Sequence, residues 1–332
     1  MRLFIYYNTT DKPWGGSNSF IKAFKKYINN KRKVAIQLVT DINADYDIFF
    51  MNGCSKSAAK GKRTSINLKE IEKIKKYGYT SFIKRVLSKK IKKKIVYRLD
   101  GLRAIYNNEF SPMDELQIQA SNFADHIVFQ SKHCLDSFKS FGYNKNNYSI
   151  ITNGVDQAIF TMRKRLWNKI DKLKIFSANW SSNPNKGFRT IAAFSENERI
   201  ESYFVGNWPD KIDKKNVIFF PPMKQEELAK RYKKCDIFLH AAKNDPCPNT
   251  VLEALSCGLP VIYHNSGGSV EIAKEYGVPL PKLINDETIQ TTLEKIKQNY
   301  DVLVKRIIRD RQEFSIDYVA EKYIEVFSKL LS

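Results

Sequence analysis

The residues best suited to chemistry follow short apolar runs in the second half of the chain. The segment DIFLHA, residues 236–241, predicts a buried strand, and TVLEALSC predicts a helix that stops at Gly258. The run PVIYH then predicts a second strand, parallel to the first. Ligands of such strand-helix-strand units bind beyond the carboxyl ends of the strands, where the helix begins. Asp245, Asn249 and Thr250 fall at that edge.

These positions suit an anion. A helix start offers unpaired backbone N–H groups and the positive end of the helix dipole, so it binds a phosphate without a metal. The loop NSGGSVE repeats the arrangement, because Gly267 and Gly268 allow close backbone approach ahead of a helix that begins near Ser269. An alternative interpretation treats Thr250 and Glu253 as a capping box, in which Glu253 only satisfies the helix start.

The same segment resembles the donor-binding signature of the family 4 retaining glycosyltransferases, also described as glycosyl transferases group 1. In that family two acids separated by seven residues precede an Ala, a Gly, a Pro and a Gly-Gly-x-x-Glu turn. The corresponding residues are Asp245, Glu253, Ala254, Gly258, Pro260, Gly267, Gly268 and Glu271. The resemblance implies that Glu253 binds the donor ribose hydroxyls and that Asp245 lies near the transferred sugar and the attacking hydroxyl. The first acid of the family is usually Glu, so Asp245 is one methylene shorter.

Further matches follow the family order along nearly the whole chain. Gly15 and Gly16 separate an initial strand from an amphipathic helix, where the family has a glycine loop facing the cleft. On composition alone this pair indicates only a turn. Asp100 ends the strand KKIVYRLDG, where many relatives have His-Gly at the cleft, so it is a candidate acceptor-side and catalytic residue. The alternative is a carboxylate that caps the following turn.

A lysine in the loop before a predicted helix completes the candidate donor site. Lys186, followed by Gly187, matches the lysine that contacts the donor diphosphate in the family, which makes it a donor-binding and catalytic candidate. Relatives usually place an arginine five or six residues earlier, where this chain has Ser181 and Trp180. Arg189 is the nearest substitute for that charge, although a solvated surface arginine is the simpler interpretation.

Length and composition agree with the architecture that the resemblance implies, an α/β protein of two Rossmann-like domains facing across a cleft, the GT-B fold. A chain of 332 residues with 42% hydrophobic content can form two cores. The predicted N-terminal, acceptor-side domain is 1–155, and the predicted nucleotide-sugar-binding domain is 156–315. In the family the final helix, here 316–332, crosses back to pack on the N-terminal domain.

The charge of the chain is strongly basic, because 56 Lys and Arg against 35 Asp and Glu leave a net charge of +21. Residues 56–94 hold fifteen Lys or Arg and two acids, with aromatic and aliphatic residues interleaved. Such a stretch suits an anionic membrane surface, where each basic residue contributes about 1 kcal/mol, and would bring the protein to a lipid-linked acceptor. A solvated lysine-rich surface is the alternative. Nucleic acid is not expected as a partner, because no nucleic-acid-binding signature accompanies these residues.

Cysteine and histidine usage predicts no metal site. The five cysteines lack CxxC spacing and favour a reducing cytoplasm, and the four histidines lack spacing such as HExxH. No segment approaches the roughly 20 apolar residues of a membrane span, and the start of the chain lacks the features of a signal peptide. The expected location is the cytoplasm, on the inner face of the plasma membrane if the basic segment binds lipid. No cofactor is expected beyond the substrate, a nucleoside diphosphate sugar based on UDP or GDP.

The predicted reaction is transfer of a sugar from that donor to a hydroxyl of a glycan or lipid-linked acceptor, with the anomeric configuration retained. Lys186 and the backbone N–H groups at Thr250 and Gly267-Gly268 would stabilise the departing diphosphate. The resemblance implies a front-face path, and bacterial surface polysaccharide synthesis is the expected context. Two alternatives stay open. A GT-B sugar-nucleotide epimerase or phosphorylase would act without this acceptor, and a non-catalytic nucleotide-sugar or membrane-binding protein would bind without turnover.

Overall fold

The computed structural model describes residues 1–7, 9–11, 15–30, 36–41, 44–52, 94–122, 124–163 and 172–332. The chain forms two compact units, each built on a six-stranded parallel sheet. The first unit comprises residues 1–10, 17–152 and 320–332, and the second comprises 11–16 and 153–319. Both sheets carry helices in their connections, which confirms the predicted α/β class with two Rossmann-like domains.

The first sheet has the strand order β2-β1-β3-β4-β5-β6. The elements of this part of the chain are β1 (Arg2–Tyr6), α1 (Gly16–Asn30), β2 (Gln37–Val39), β3 (Ile48–Asn52), β4 (Lys94–Leu99), α2 (Arg103–Tyr106), α3 (Pro112–Ser121), β5 (His126–Phe129), α4 (Lys132–Ser140) and β6 (Tyr148–Ile150). Parallel strands covered by helices are buried on both faces, and β1, β3 and β4 are accordingly almost continuous apolar runs.

The second sheet has the order β12-β11-β10-β7-β8-β9. Its elements are β7 (Leu173–Asn179), a 3-10 turn (Pro184–Lys186), α5 (Phe188–Ser195), β8 (Ile200–Gly206), β9 (Ile218–Phe220), α6 (Gln225–Lys234), β10 (Ile237–His240), α7 (Asn249–Ser256), β11 (Val261–Tyr263), α8 (Ser269–Ala273), β12 (Gly277–Pro279), α9 (Asp286–Asp310), a second 3-10 turn (Arg311–Phe314) and α10 (Ile316–Leu331). The strand-helix-strand unit predicted around Asp245 is therefore β10, α7 and β11, and α8 begins at Ser269 as predicted.

The end of α10 supplies part of the first unit's core. The ring of Tyr323 lies 5.6 Å from that of Phe20 and 5.5 Å from that of Phe24, centroid to centroid. The ring of Phe327 lies 5.8 Å from that of Phe50 on β3. Full burial of an aromatic side chain stabilises a fold by about 1.5–3 kcal/mol. The last turns of the chain therefore stabilise the unit that contains its first strand.

Residues 56–93 of the basic segment proposed to bind a membrane lie outside the described residues. Its last residue, Lys94, opens β4, and its Nζ atom lies 3.6 Å from Oδ1 of Asp125. Within the described ranges, no helix combines the length and apolar character needed to cross a membrane. The four cysteines in those ranges are buried thiols.

Candidate active site

The candidate site lies where the strand order of the second sheet reverses. From β7 the chain proceeds outward through β8 and β9, and it then returns to place β10 on the other side of β7. Ligands of open parallel sheets bind beyond the carboxyl ends of the strands at such a reversal. The loops that follow β7, β10 and β11 carry Lys186, Asp245 and the Gly267-Gly268 pair. Three sequence-predicted elements therefore share one sheet edge.

A glycine sets the position of Lys186. Gly187 has φ +77°, a left-handed conformation, and a Cβ atom there would lie 2.2 Å from the backbone oxygen of Ala241. Only glycine allows this approach of the loop after β7 to the loop after β10. The backbone of Lys243 donates to the oxygen of Asn185 over 2.8 Å, which fixes the same two loops together.

Lys186 and Asp245 form an ion pair in this edge. Nζ lies 2.7 Å from Oδ2, and the two side chains are 15% and 11% exposed. Cys247 N donates to Oδ1 of the same carboxylate over 3.3 Å. Burial alone raises the pKa of Asp245, but the charge of Lys186, with smaller contributions from His240 and these hydrogen bonds, outweighs it and lowers the pKa below its ordinary value. Asp245 is therefore ionised at neutral pH.

The second glycine loop docks on the backbone of Asp245. Gly268 N donates to the Asp245 carbonyl oxygen over 2.8 Å. Gly267 has φ +67°, and a Cβ atom there would lie 2.6 Å from that oxygen. The turn precedes α8, whose first residue is Ser269. Lys186 and Gly268 thus both contact Asp245, one through the side chain and the other through the backbone.

The start of α7 lies in the same edge. Its N-cap is Pro248, and no side chain caps the helix. Nδ2 of Asn249 donates to the backbone oxygen of Gly16 over 3.0 Å, and Oδ1 accepts from Nδ2 of Asn153 over 2.6 Å. The predicted residues Gly16 and Asn249 are therefore in contact, within the unit that contains residues 11–16. A side chain at Gly15 would meet Trp180 at 4.0 Å.

The capping-box interpretation of Thr250 and Glu253 is wrong. Since α7 already begins at Asn249 after Pro248, Thr250 lies inside the helix and Glu253 one turn further. Glu253 is instead a buried acid, 5% exposed, whose Oε2 accepts from the hydroxyl of Tyr232 over 3.0 Å. Burial raises its pKa to about 8, although the Tyr232 hydrogen bond acts in the opposite direction.

A buried histidine that sequence reasoning missed lies at the end of β10. His240 is 2% exposed, and its Nε2 atom has no hydrogen-bond partner among the described residues. Burial lowers its pKa to about 4; Asp245 opposes that shift, whereas Lys186 and His264 reinforce it. The ring is therefore neutral at physiological pH. His264 lies in the loop that follows β11, and its Nδ1 atom is 2.8 Å from Ser266 Oγ.

Asp100 lies in the first unit, at the carboxyl end of β4. Its Oδ2 accepts from Ser17 Oγ over 2.8 Å, and its Oδ1 accepts from Arg98 Nη1 over 2.9 Å and also from Gln130 Nε2. The guanidinium of Arg98 is fully buried and lies 4.3 Å from the ring centroid of Phe20. The side chain of Asp100 is 43% exposed.

The turn-capping alternative for Asp100 is also wrong. The next helix, α2, has Leu102 as its N-cap and no side-chain cap. The hydroxyl of Tyr7 is close enough to respond electrostatically to this cluster. Burial, with a contribution from Asp100, raises the pKa of Tyr7 to about 12.

Two further features bear on the predicted chemistry. Arg189, the nearest substitute for the missing arginine, is exposed on α5. Across the described ranges, no group of three or more His, Cys, Asp or Glu side chains is placed to hold a metal ion. Sequence reasoning also missed Tyr232, which helical periodicity marks only as a core residue.

The chain resembles known glycosyltransferases both in sequence and in structure. The sequence profile described as "Glycosyl transferases group 1" matches residues 207–310, a range that contains Asp245, Glu253 and both glycines of the second loop. A GDP-mannose-dependent alpha-mannosyltransferase of Mycolicibacterium smegmatis is 27% identical over 89 residues, which are 26% of this chain and 24% of the relative. A probable sucrose-phosphate synthase of Thermosipho melanesiensis is 30% identical over 150 residues, 43% of this chain and 35% of the relative. The matches thus span about a third or less of these relatives.

Solved structures match along the whole chain. Sucrose-phosphate synthase from Thermosynechococcus elongatus superposes with a TM-score of 0.71 and 14% identity, covering 99% of this chain and 98% of the other. Anabaena HepE in complex with UDP-glucose superposes with a TM-score of 0.68 and 16% identity, covering 99% of both chains. Identities this low show a shared fold. The chain therefore has the GT-B fold of two Rossmann-like domains, and its second unit carries the sequence pattern of the glycosyl transferases group 1, which confirms the predicted resemblance.

Proposed function

We propose that this protein is a retaining glycosyltransferase that moves a sugar from a nucleoside diphosphate sugar to a hydroxyl of a glycan or lipid-linked acceptor. The observation that carries the proposal is the convergence of Lys186, Asp245, the start of α7 and the Gly267-Gly268 turn at one sheet edge, within the stretch that matches the group 1 profile. A lysine, two helix starts and a glycine turn provide the cation and backbone donors that a diphosphate needs.

The donor would lie with its diphosphate on Lys186 and the backbone N–H groups of α7 and α8, and with its ribose on Glu253. Two bases are reasonable for the nucleotide. The solved HepE structure contains UDP-glucose, whereas the mannosyltransferase relative is named as dependent on GDP-mannose. UDP and GDP donors are therefore the first to test.

In the proposed reaction, the bond between the anomeric carbon and the diphosphate oxygen breaks while the acceptor oxygen bonds the same face of the sugar. Asp245 is ionised and has no proton to give, so it would stabilise positive charge that develops on the sugar. The acceptor's hydroxyl proton would pass to the departing phosphate oxygen. Lys186 would balance the negative charge that forms on the diphosphate, and no metal ion is needed for that step.

Asp100 is the proposed acceptor-side group. Three donors hold its carboxylate, and its exposure leaves it accessible to a sugar hydroxyl. The basic character of residues 56–94 supports an anionic membrane surface as a partner and a lipid-linked acceptor in bacterial surface polysaccharide synthesis. Replacing Lys89, Lys90, Lys92 and Lys93 with Ser should weaken binding to anionic vesicles and leave activity on a water-soluble acceptor unchanged. Unchanged vesicle binding would contradict this membrane role.

The deciding experiment combines binding and turnover. The purified protein in EDTA is titrated with UDP and GDP, and then incubated with UDP-glucose or GDP-mannose in the presence and absence of hydroxyl acceptors. We expect one nucleotide family to raise the melting temperature, and transfer that requires an acceptor and retains the anomeric configuration by NMR. Conversion of the donor without an acceptor would instead favour an epimerase or phosphorylase. Binding with no turnover across an acceptor panel would favour a nucleotide-sugar binder.

A further inference from the structure

One phenol joins two elements of the candidate donor site. Tyr232, on α6, is fully buried, and its hydroxyl lies 3.0 Å from Glu253 Oε2 and 3.0 Å from the backbone oxygen of Thr250. Aromatic rings hold the tyrosine ring in place: the ring of Phe176 lies 4.7 Å away and that of Phe238 5.4 Å away. The hydroxyl position is therefore fixed by packing, independently of any ligand.

The hydrogen bonds of this group depend on the protonation of Glu253. A phenol has one O–H donor, yet two acceptors lie within reach. When Glu253 is protonated, its O–H donates to the Tyr232 oxygen and the phenol donates to Thr250. When Glu253 is ionised, the phenol hydrogen is shared between the two. The second carboxyl oxygen, Oε1, makes no hydrogen bond to the part of the chain that the structure describes.

We propose that Tyr232 is a positioning residue of the donor site: its hydroxyl holds Oε2 of Glu253 so that the carboxylate accepts the ribose hydroxyls of a nucleoside diphosphate, with loss of one proton on binding. This inference rests on the proposed function. Ribose hydroxyls are donors, and an ionised carboxylate is the acceptor that binds a pair of them best. A carboxylate that accepts both hydroxyls carries no proton, and the nucleotide brings no positive charge that could replace it. The proton of Glu253 therefore leaves to solvent.

The surroundings of Glu253 keep it protonated before a ligand arrives. Burial raises its pKa to about 8, and the Tyr232 hydrogen bond is the opposing influence. Tyr232 faces Glu253 from α6. Burial, Glu253 and Cys257 together raise the pKa of Tyr232 well above its ordinary value. Arg311 interacts electrostatically with Cys257 and donates from Nε to the Ser256 oxygen over 3.0 Å. Ribose binding to the carboxylate should therefore tighten as pH rises towards 8 and level off above it.

The test is calorimetric titration of the full chain with UDP and with GDP at pH 6, 7, 8 and 9. At pH 7, buffers that differ in ionisation enthalpy report proton release. We expect wild-type affinity to rise up to about pH 8, with up to one proton released at pH 7. Tyr232→Phe should bind about five- to tenfold more weakly, and its affinity should level off at a higher pH, because Glu253 loses the hydrogen bond that favours its ionised form.

Tyr300→Phe is the matched control. Its hydroxyl is also buried and donates to a backbone oxygen, that of Asp236 at 3.0 Å, at the opposite end of β10. Tyr300→Phe should lose about as much stability as Tyr232→Phe and should keep the affinity and the pH profile of the wild type. If Tyr232→Phe binds with the same affinity and pH profile as the wild type, the inference is wrong. Wild-type binding without proton release at pH 7 would also overturn it, and that measurement needs no variant. Failure of the wild type to bind either nucleotide at any pH would overturn the proposed function itself.

Discussion

The carboxyl edges of the two sheets hold acids in different surroundings. Asp100, at the first edge, is 43% exposed and accepts hydrogen bonds from three side chains. At the second edge, Asp245 is 11% exposed beside Lys186, and Glu253 is 5% exposed with a phenol as its hydrogen-bond partner. The same chemical group is thus half-exposed beside a buried arginine in one place, buried beside a lysine in another and enclosed without a cation in the third.

The surroundings decide what each acid can bind. Lys186 keeps Asp245 ionised, whereas burial keeps Glu253 protonated near neutral pH. The second edge therefore suits a ligand that brings its own negative charge to the lysine and hydroxyl donors to the enclosed acid. The first edge, open to water, suits a neutral hydroxyl. This difference agrees with the proposed donor role of the second edge and the proposed acceptor role of the first.

The largest expected effect is that of Glu253→Ala. Loss of the carboxylate proposed to bind the ribose should lower turnover by about 1,000-fold, which corresponds to about 4 kcal/mol of transition-state stabilisation. Steady-state kinetics with the identified donor measures it, and Glu226→Ala, at an exposed position of α6, is the control. Full activity of Glu253→Ala would remove Glu253 from the site.

Glu253→Gln tests the protonation of the same residue. Because the folded-state pKa is raised from 4.5 to about 8, the stability that this group contributes is complete below pH 4.5 and is lost as pH rises through about 8. Urea unfolding between pH 4 and 9 should show that the fall in stability over this window is smaller in Glu253→Gln than in the wild type. Identical pH profiles would contradict a protonated Glu253.

Lys186→Met should have the next largest effect. It removes the cation from the proposed diphosphate contact and leaves a buried carboxylate unbalanced, so we expect about 100-fold lower turnover and about 3 kcal/mol lower stability. Adding Asp245→Asn should restore most of the stability without restoring turnover. Lys230→Met, which breaks an exposed pair with Glu227, is the control. Recovery of activity in the double variant would show that Lys186 only balances Asp245.

Asp100→Asn should affect the acceptor side alone. We expect the KM for the acceptor to rise about tenfold, with the KM for the donor unchanged. Stability should fall by about 2 kcal/mol, because an amide does not balance the buried charge of Arg98. Asp136→Asn, which removes an exposed partner of Lys132, is the control. A rise in donor KM instead would contradict the separation of the two edges.

His240→Leu should have the smallest effect. Removing a buried ring nitrogen that lacks a partner among the described residues should raise stability at pH 8 by up to about 1 kcal/mol. The folded-state pKa of His240 is lowered from 6.5 to about 4, so the wild type should lose stability as pH falls through this range. His240→Leu should lose less, as measured by urea unfolding. A lower stability of His240→Leu at pH 8 would mean that the ring makes a favourable interaction.

Local sequence signals were enough to predict the strand-helix-strand unit at the sheet edge and much of the candidate site. The strand-helix-strand unit and the Gly267-Gly268 turn were predictable because apolar runs, breakers and glycines act over a few residues. Lys186 was indicated by the family resemblance instead. The capping-box alternative is wrong because Pro248, in an extended conformation, is the N-cap, so the helix begins at Asn249, one residue before Thr250.

The partners of the three acids were not predictable in the same way. Tyr232 is 21 positions from Glu253, and Ser17 is 83 positions from Asp100. Helical periodicity marks Tyr232 as a core residue, but it does not specify which polar group the hydroxyl meets. Pairings of this kind depend on how distant elements pack, so they appear only with the tertiary structure.

The contribution of α10 to the first unit has a consequence for synthesis of the chain on the ribosome. Domains generally fold as units as they emerge, the N-terminal one first. Here residues 153–319 form most of the second unit without interruption, whereas the first unit needs Tyr323 and Phe327, which are translated after the second unit. The second unit can therefore complete its core while the nascent first unit still exposes Phe20 and Phe24, a surface that a chaperone would recognise until residues 320–332 have been synthesised.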